Sequence, residues 1–229
     1  MISEEIKILE QERQLEQKIE EIKEHQKHLI NILHDIITNR NVESVKHIQY
    51  VQGYTRILAS QYADLFPRAK LTKDRIEMIV QAAKMHDVGK ITVPDSIINR
   101  PGRLSRYEME LLKQHTIKGS EIMKVMSEIQ EDDYSRICYN VCRYHHEKYD
   151  GMGYPEGLKG DQIPIEAQIV GLADMYDALV NVTVNKEAYT SQEAFYKLMR
   201  GDCGELSPQM KECLDAARKS LEMFQLEIE

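Results

Sequence analysis

Apolar residues recur every seven positions along residues 1–40, a segment with neither glycine nor proline. The repeat runs through Ile8, Leu15, Ile22, Leu29 and Ile36, and the companion positions between them are Glu12, Ile19, Gln26 and Leu33. Positions that lie alternately four and three residues apart are typical of a coiled coil, because they fall on one helix face that can pack against a partner helix. We therefore predict a long helix that forms a parallel homodimer. The alternative is a single amphipathic helix that packs against its own domain.

Residues 41–229 differ in composition, since all 11 glycines and all 6 prolines occur there. Helical patterns of ordinary length follow one another, and we predict helices at 42–63, 72–89, 105–127, 133–147, 164–183, 190–201 and 207–224. Prolines and glycines separate them, and the glycine-rich segment 150–164 must be an irregular loop. Little in the chain has the alternating pattern of a strand. We therefore predict an all-α fold, with a coiled-coil signalling helix over 1–40 and a helical domain over 41–229.

Composition argues against several classes of protein. The formal net charge of −8 disfavours binding to a nucleic-acid polymer, which needs a concentrated basic surface. The chain has no run of about 20 apolar residues that could span a membrane, and its amino terminus lacks the segments of a secretory signal. We therefore expect a cytoplasmic protein that contacts no membrane. The four cysteines form no CxxC pair, and we expect buried, reduced thiols without a function.

The eight histidines are distributed unevenly. His25, His28 and His34 fall in the predicted coiled coil, where Leu33 occupies the seam. The pair His34–Asp35 therefore faces solvent, and we expect no role for it. The others lie in helical stretches of the second domain, with suitable carboxylates nearby: His47, His86, His115, His145 and His146. Such a set calls for an explanation beyond that of isolated surface or core histidines.

His86 and Asp87 end an amphipathic stretch, IEMIVQAAKMHDVGK, whose apolar residues indicate burial. A buried imidazole beside a buried carboxylate is costly unless the two are paired or bind a metal. Gly89 fits a helix end or a close backbone approach, and Lys90 places a cation beside the pair. Metal binding and a satisfied core pair both remain open from these residues alone.

Other histidines and acids have spacings that suit metal ligands. Glu43 and His47 stand one helical turn apart on one helix face, and the adjacent His145 and His146 lead into the glycine-rich loop. Asp174 is an acid in an apolar helix, where a cation or a neighbouring side chain would satisfy it. Nitrogen and oxygen ligands without cysteine favour iron, manganese or zinc in a catalytic role. This many candidate ligands imply two or three ions, with a carboxylate such as that of Asp87 bridging them.

Several motifs resemble the HD-GYP branch of the HD metal-dependent phosphohydrolase superfamily. The runs HDVGK, from His86 to Lys90, and RYHHEKYDGMGYPEGLKG, from Arg143 to Gly160, are similar to its signatures. Further matching segments extend the resemblance from Glu43 to Pro208. The resemblance implies an HD-domain helical bundle after the coiled-coil helix, with two or three divalent metal ions, iron or manganese. By motif position, the metal ligands would be Glu43, His47, His86, Asp87, His115, His145, His146 and Asp174.

The resemblance also implies a reaction, the hydrolysis of cyclic di-GMP to the linear dinucleotide or to GMP. Metal ions would neutralise the charge of the phosphodiester, and a metal-bridging hydroxide would attack phosphorus. We expect catalytic roles for Asp87 and Lys90, and substrate contacts from Lys90, Tyr154 and Lys186. The alternative for Lys90 is a solvent-facing lysine beyond a helix end.

The sequence departs from the family pattern after Leu179, where an Arg-Pro-Tyr-Lys-like run normally grips the substrate phosphates. Thr183, Val184 and Asn185 replace the first three residues of that run, and only Lys186 keeps a positive charge. Loss of an arginine weakens phosphate recognition, so one alternative is an HD-type hydrolase of another nucleotide or phosphoester. A second is a catalytically weak module for nucleotide sensing or interaction. A receiver or sensory domain upstream, or a cyclase partner, would supply the regulatory input.

Overall fold

The computed structural model describes residues 7–19, 21, 22, 25, 32, 45–100, 102–129, 132–181 and 188–228. The chain divides into two compact units, Met1–Ile36 and Ile37–Glu229. Helices, turns and loops make up the described residues, which contain no β-strand, so the predicted all-α fold is confirmed. No helix within these ranges is both long enough and apolar enough to cross a membrane.

In the first unit, residues 7–19 form helix α1. Its apolar side chains Ile8, Leu15 and Ile19 are exposed by 52%, 60% and 38%. This exposure leaves the seam accessible to a partner helix. The coiled-coil pairing, the homodimer and the domain boundary at residue 40 stay predictions.

The second unit contains eight α-helices among its described residues. They are α2 Val45–Leu65, α3 Lys73–Ala82, α4 Asp95–Ile98, α5 Arg106–Ile129, α6 Asp133–Tyr144, α7 Ile165–Val180, α8 Ser191–Met199 and α9 Pro208–Ile228. Tighter 3-10 turns span Pro67–Ala69, Ala83–Met85, Val88–Thr92 and Gly160–Gln162. Side-chain caps fix three of the helix starts, where Thr72, Asp132 and Thr190 each accept a hydrogen bond from the main chain of the first turn.

Helix α7 is the central element of this unit. Its apolar sequence, IEAQIVGLADMYDALV, is buried along most of its length, and it packs against α2, α6 and α8. Ile169 and Leu172 are fully buried there, and burying one such side chain contributes about 1.5–3 kcal/mol relative to exposure. Helix α5 packs against α6 and against the turn Val88–Thr92, while α2 contacts the turn Ala83–Met85. These contacts bring the segments that carry the histidines next to one another.

The stretch predicted as one helix over 72–89 is interrupted. Helix α3 ends at Ala82, and the chain continues through two 3-10 turns, at Ala83–Met85 and Val88–Thr92. A Cβ atom at Gly89 would overlap the main-chain oxygen of His115 and approach the nitrogen of Gly119 to 2.5 Å. The turn can therefore pack directly against the backbone of α5. Helical periodicity does not reveal this requirement, because it arises only from tertiary packing.

Four smaller expectations also need correction. Helices α6 and α7 end at Tyr144 and Val180 rather than at residues 147 and 183, and the short helix α4 was not predicted. A main-chain turn follows α6 at once, since the chain must reverse there to enter the glycine-rich loop. Cys138, Cys142 and Cys213 are buried free thiols, as predicted, whereas Cys203 is partly exposed. Cys203 lies between two glycines of positive φ, in a turn that approaches the surface.

Candidate metal centre

Three buried histidines are held in the same way. Each ring donates its Nδ1 hydrogen to a carbonyl oxygen of the preceding helical turn at 2.7–2.8 Å, in the pairs His86–Ala83, His115–Leu112 and His145–Val141. A carbonyl oxygen can only accept, so Nδ1 must carry the hydrogen, and a neutral ring then has its lone pair on Nε2. Metal-ligating histidines are oriented in this way, by a hydrogen bond from the second ring nitrogen.

Asp87 lies between two groups of these rings. Its Oδ2 atom is 3.1 Å from His86 Nε2. Its Oδ1 atom is 3.1 Å from His115 Nε2 and 4.0 Å from His145 Nε2. The two oxygens of one carboxylate therefore face different histidines, so Asp87 would contribute an oxygen to each of two ions held by these rings.

Two clusters of candidate ligands meet at this carboxylate. In each cluster, one ligand atom from every residue lies within 4.8 Å of the others. The first comprises Asp87, His115, His145 and His146, and the second comprises His47, His86 and Asp174. In the second cluster, Asp174 Oδ1 lies 3.8 Å from the Nε2 atoms of both His47 and His86.

The polar atoms at the centre of the two clusters are arranged to bind a cation rather than to form hydrogen bonds with one another. Asp87 Oδ1 is buried, and among the described residues it accepts no hydrogen bond, although His115 Nε2 lies 3.1 Å away. His115 Nε2 also lies 3.5 Å from His145 Nε2, where two lone pairs would repel each other. A buried carboxylate oxygen and converging lone-pair nitrogens are satisfied by a divalent ion. The residues present therefore fit a metal.

Burial favours the protonation states that metal ligation needs. It lowers the pKa of His145 to about 3, with help from the neighbouring His86 and His115. It also lowers the pKa values of His115 and His146. Burial alone would raise the pKa of Asp87, but neighbouring groups, with the charge of Lys90 the largest cause, hold that pKa well below its usual range. At neutral pH the first cluster thus offers neutral imidazoles and an ionised carboxylate.

Lys90 lies beside Asp87 and does not face open solvent. Its side chain is only 16% exposed, and its Nζ atom lies 2.6 Å from Asp87 Oδ2. The 3-10 turn Val88–Thr92 carries this lysine back over the carboxylate that precedes it. The ammonium therefore adds positive charge to the centre within an acidic chain.

The ring of His47 is held by a side chain of another helix. Its Nδ1 atom lies 2.6 Å from Asp177 Oδ2, and Asp177 belongs to the last turns of α7. Burial alone would lower the pKa of His47, but the hydrogen bond to Asp177 and the charge of Asp174 raise it. The pairing fastens the first turn of α2 to α7.

The loop after α6 folds back against the centre. The buried carboxylate of Glu147 accepts hydrogen bonds from three successive loop amides, those of Glu156, Gly157 and Leu158, at 2.8, 3.1 and 3.0 Å. These bonds bring the ring of Tyr154 against His146, with 4.7 Å between ring centroids. Lys113 Nζ lies 5.4 Å from the Tyr154 ring centroid. Tyr154 is thus placed between a candidate ligand and a second cation.

The structure brings seven of the eight predicted ligands into the two clusters. Glu43 lies outside the described residues, as do Lys186, the divergent residues 183–185 and the pair His34–Asp35. The sequence interpretation gave no role to Asp177 or Glu147. Each had a signal, because Asp177 follows Asp174 by one helical turn, and Glu147 is an acid directly beside two histidines.

Comparison with known proteins gives matches over most of the chain. A model of the HD domain family matches residues 31–202. A cyclic di-GMP phosphodiesterase of Vibrio cholerae is 33% identical over 184 residues, which are 79% of this chain and 37% of that protein. The cyclic di-GMP phosphodiesterase response regulator RpfG of Xanthomonas campestris is 31% identical, with 93% of this chain and 53% of that protein covered. A 3′3′-cGAMP-specific phosphodiesterase of V. cholerae is 32% identical, covering 85% of this chain and 35% of that protein.

These relatives are all longer than this chain, which spans 35% to 53% of their lengths. Among solved structures, an HDG"Y"P protein from Bdellovibrio bacteriovorus is similar, with a TM-score of 0.56 and 22% identity. The similarity covers 86% of this chain and 62% of that one. At this identity the match supports a shared fold.

Proposed function

The chain belongs to the HD domain family, with the motifs of its HD-GYP branch, and from this premise we propose that it is a metal-dependent phosphodiesterase acting on a cyclic dinucleotide. Cyclic di-GMP is the substrate that we favour. The observation that carries the proposal is the position of Asp87, whose two carboxylate oxygens face separate histidine groups. Phosphodiester hydrolysis uses such paired sites to stabilise both the attacking and the leaving oxygen.

The described ligands would hold two divalent ions, for which we propose iron or manganese, and Glu43 would allow a third. Such ions, when bound, supply positive charge against the phosphodiester and acidify water for attack on phosphorus. The protein contributes orientation, because carbonyl oxygens fix three of the imidazoles. It also keeps Asp87 ionised, chiefly through the charge of Lys90.

Lys90 and Tyr154 are our proposed contacts to the substrate. Lys90 Nζ sits beside Asp87, so a phosphate that reached the cluster would meet this ammonium. Tyr154 lines the same region through its contact with His146, and Lys113 adds a further cation there. These charges offset a net charge of −8 where a dianionic dinucleotide would bind. Lys186 completes the proposed set.

The test is an assay of the Mn²⁺-loaded protein with cyclic di-GMP and, in parallel, with 3′3′-cGAMP. We expect chromatography to show a linear dinucleotide from at least one of them. The variant Asp87→Asn should lose the activity, whereas Asp133→Asn, an equivalent change at a carboxylate 64% exposed on α6, should keep it. Absence of product from both substrates, with metal present in the protein, would contradict the proposal.

A second candidate is hydrolysis of another nucleotide or phosphoester. The observation that favours it is Thr183, which stands where an arginine would grip a substrate phosphate. Assays with a panel of linear nucleotides and simple phosphoesters separate the two candidate functions. If one of these compounds is hydrolysed faster than both cyclic dinucleotides, the second candidate is supported. Tight binding of an intact cyclic dinucleotide without turnover would instead select nucleotide sensing.

We further propose that residues 1–40 form a signalling helix that pairs two copies of the helical domain 41–229. Support comes from exposed apolar side chains at three repeat positions of the first unit, Ile8, Leu15 and Ile22. A receiver or sensory domain, or a cyclase partner, would then act through this helix. Light scattering of the whole chain tests the pairing, and a monomeric mass at micromolar concentration would contradict it.

A further inference from the structure

Asp177 has both carboxylate oxygens engaged by other side chains. Oδ2 lies 2.6 Å from His47 Nδ1, and Oδ1 accepts a hydrogen bond of 2.6 Å from Asn181 Nδ2. The residue is only 3% exposed. A carboxylate used in this way is poorly placed to be a metal ligand itself, although it stands one helical turn from Asp174.

The ring of His47 is held differently from the rings of His86, His115 and His145. The rings of His86, His115 and His145 are fixed by carbonyl oxygens of their own helical turns. The ring of His47 is instead fixed by a residue 130 positions away, on a different helix. A change at Asp177 therefore alters a hydrogen bond of His47 without touching the carbonyl bonds of the other three rings.

We propose that Asp177 is a positioning residue that sets the affinity of one ion, the one held by His47, His86 and Asp174. The inference rests on the metal centre of the proposed function. A carboxylate that accepts from Nδ1 fixes the tautomer with its lone pair on Nε2 and makes the imidazole a stronger ligand. His47 is thereby held between Asp177 on one side and Asp174 Oδ1, 3.8 Å from Nε2, on the other.

Helix α7 supplies a matched control. Glu166 is a second buried carboxylate of the same helix, also 3% exposed. It accepts hydrogen bonds from Asn140 Nδ2 at 2.7 Å and from Arg75 Nη2 at 3.4 Å. It belongs to neither ligand cluster. The change Glu166→Gln therefore perturbs a buried acid of α7 without altering the candidate centre.

The experiment measures Mn²⁺ binding to the whole chain by equilibrium dialysis and elemental analysis, with no nucleotide present. In Asp177→Asn, we expect one of the wild-type Mn²⁺ equivalents to bind about 10–100-fold more weakly, while the rest bind as before. Glu166→Gln should bind all equivalents with wild-type affinity. The metal-free Asp177→Asn protein should keep a helical circular dichroism spectrum, which separates positioning from global unfolding.

Unchanged Mn²⁺ binding in Asp177→Asn, or an equal loss of every equivalent, would overturn the inference. If Asp177→Asn does not fold, Asp177→Glu is measured in its place, because it keeps the charge but displaces the oxygen that holds His47. In Asp177→Glu also, weaker binding of one Mn²⁺ equivalent supports the inference. Unchanged binding, or an equal loss of every equivalent, overturns it. A wild type that binds Mn²⁺ but hydrolyses no cyclic dinucleotide would contradict the proposed function and leave this inference standing.

Discussion

Lys90 Nζ lies 2.6 Å from Asp87 Oδ2, at the point where the two ligand clusters meet. The ammonium helps to keep this buried carboxylate ionised, and it adds a positive charge beside the place where a phosphate would bind. The two residues are three positions apart in one short turn, so their contact is local. Of the rings that Asp87 faces, His86 is its neighbour in the chain, whereas His115 and His145 come from distant segments.

Removal of the Lys90 charge should slow hydrolysis more than it weakens metal binding. We expect Lys90→Met to lower kcat by about 100-fold, because it removes one preorganised cation from the reacting phosphate. Most of the bound Mn²⁺ should remain, since no proposed ligand is changed. The control is Lys118→Met, at a lysine 46% exposed on α5. A Lys90→Met enzyme with wild-type kcat would exclude a catalytic role for this lysine.

The packing of Gly89 predicts a strong effect of a single methyl group. In Gly89→Ala, the new Cβ would overlap the main-chain oxygen of His115, so the turn must move away from α5. We expect a loss of stability of about 2 kcal/mol or more together with weaker Mn²⁺ binding. The comparison is Gly119→Ala, whose Cβ would meet its nearest neighbours at 3.2 Å and should be tolerated better. Equal unfolding free energies for the two variants would contradict this account.

Glu147 should stabilise the loop that carries Tyr154. Its carboxylate accepts three main-chain hydrogen bonds, and Glu147→Ala leaves those amides without that acceptor. We expect a decrease of about 2–3 kcal/mol in the free energy of unfolding and faster proteolysis within residues 151–158. Urea unfolding and limited proteolysis measure the two effects. A loop that remains as resistant to protease as in the wild type would show that other contacts hold it.

The lowered histidine pKa values predict how the metal-free protein responds to acid. Burial lowers the pKa of His145 from 6.5 to about 3, so the folded state binds fewer protons than the unfolded chain between these values. Stability must therefore fall as the pH drops through 6.5, by up to about 1.4 kcal/mol per pH unit for each such histidine. His115 and His146 act in the same direction, whereas the raised pKa of His47 opposes them.

Urea unfolding of the metal-free protein from about pH 7 to about pH 5 measures this slope. The variant His145→Gln should show a shallower pH dependence than the wild type, since it removes one group that resists protonation in the folded state. Identical slopes for the two proteins would mean that His145 takes up protons as easily when folded as when unfolded.

The sequence was sufficient to predict the all-α fold and to name seven residues that the structure brings together. Amphipathic periodicity and breaks at proline reveal helices, and an HD pair in an apolar stretch implies a buried polar site. The end of α3 at Ala82 was not predicted, because apolar periodicity continues through the 3-10 turns that follow and does not distinguish them from a helix. The role of Asp177 was hidden because its partner His47 is 130 residues away.

The most direct test of the account is the number of Mn²⁺ ions bound per chain in the wild type and in Asp87→Asn. If Asp87 bridges two ions, the wild type binds at least two equivalents, and the variant loses affinity for both together, because the shared ligand is gone. A wild type that binds a single ion or none, or an Asp87→Asn protein with the wild-type number and affinity, would contradict the shared centre.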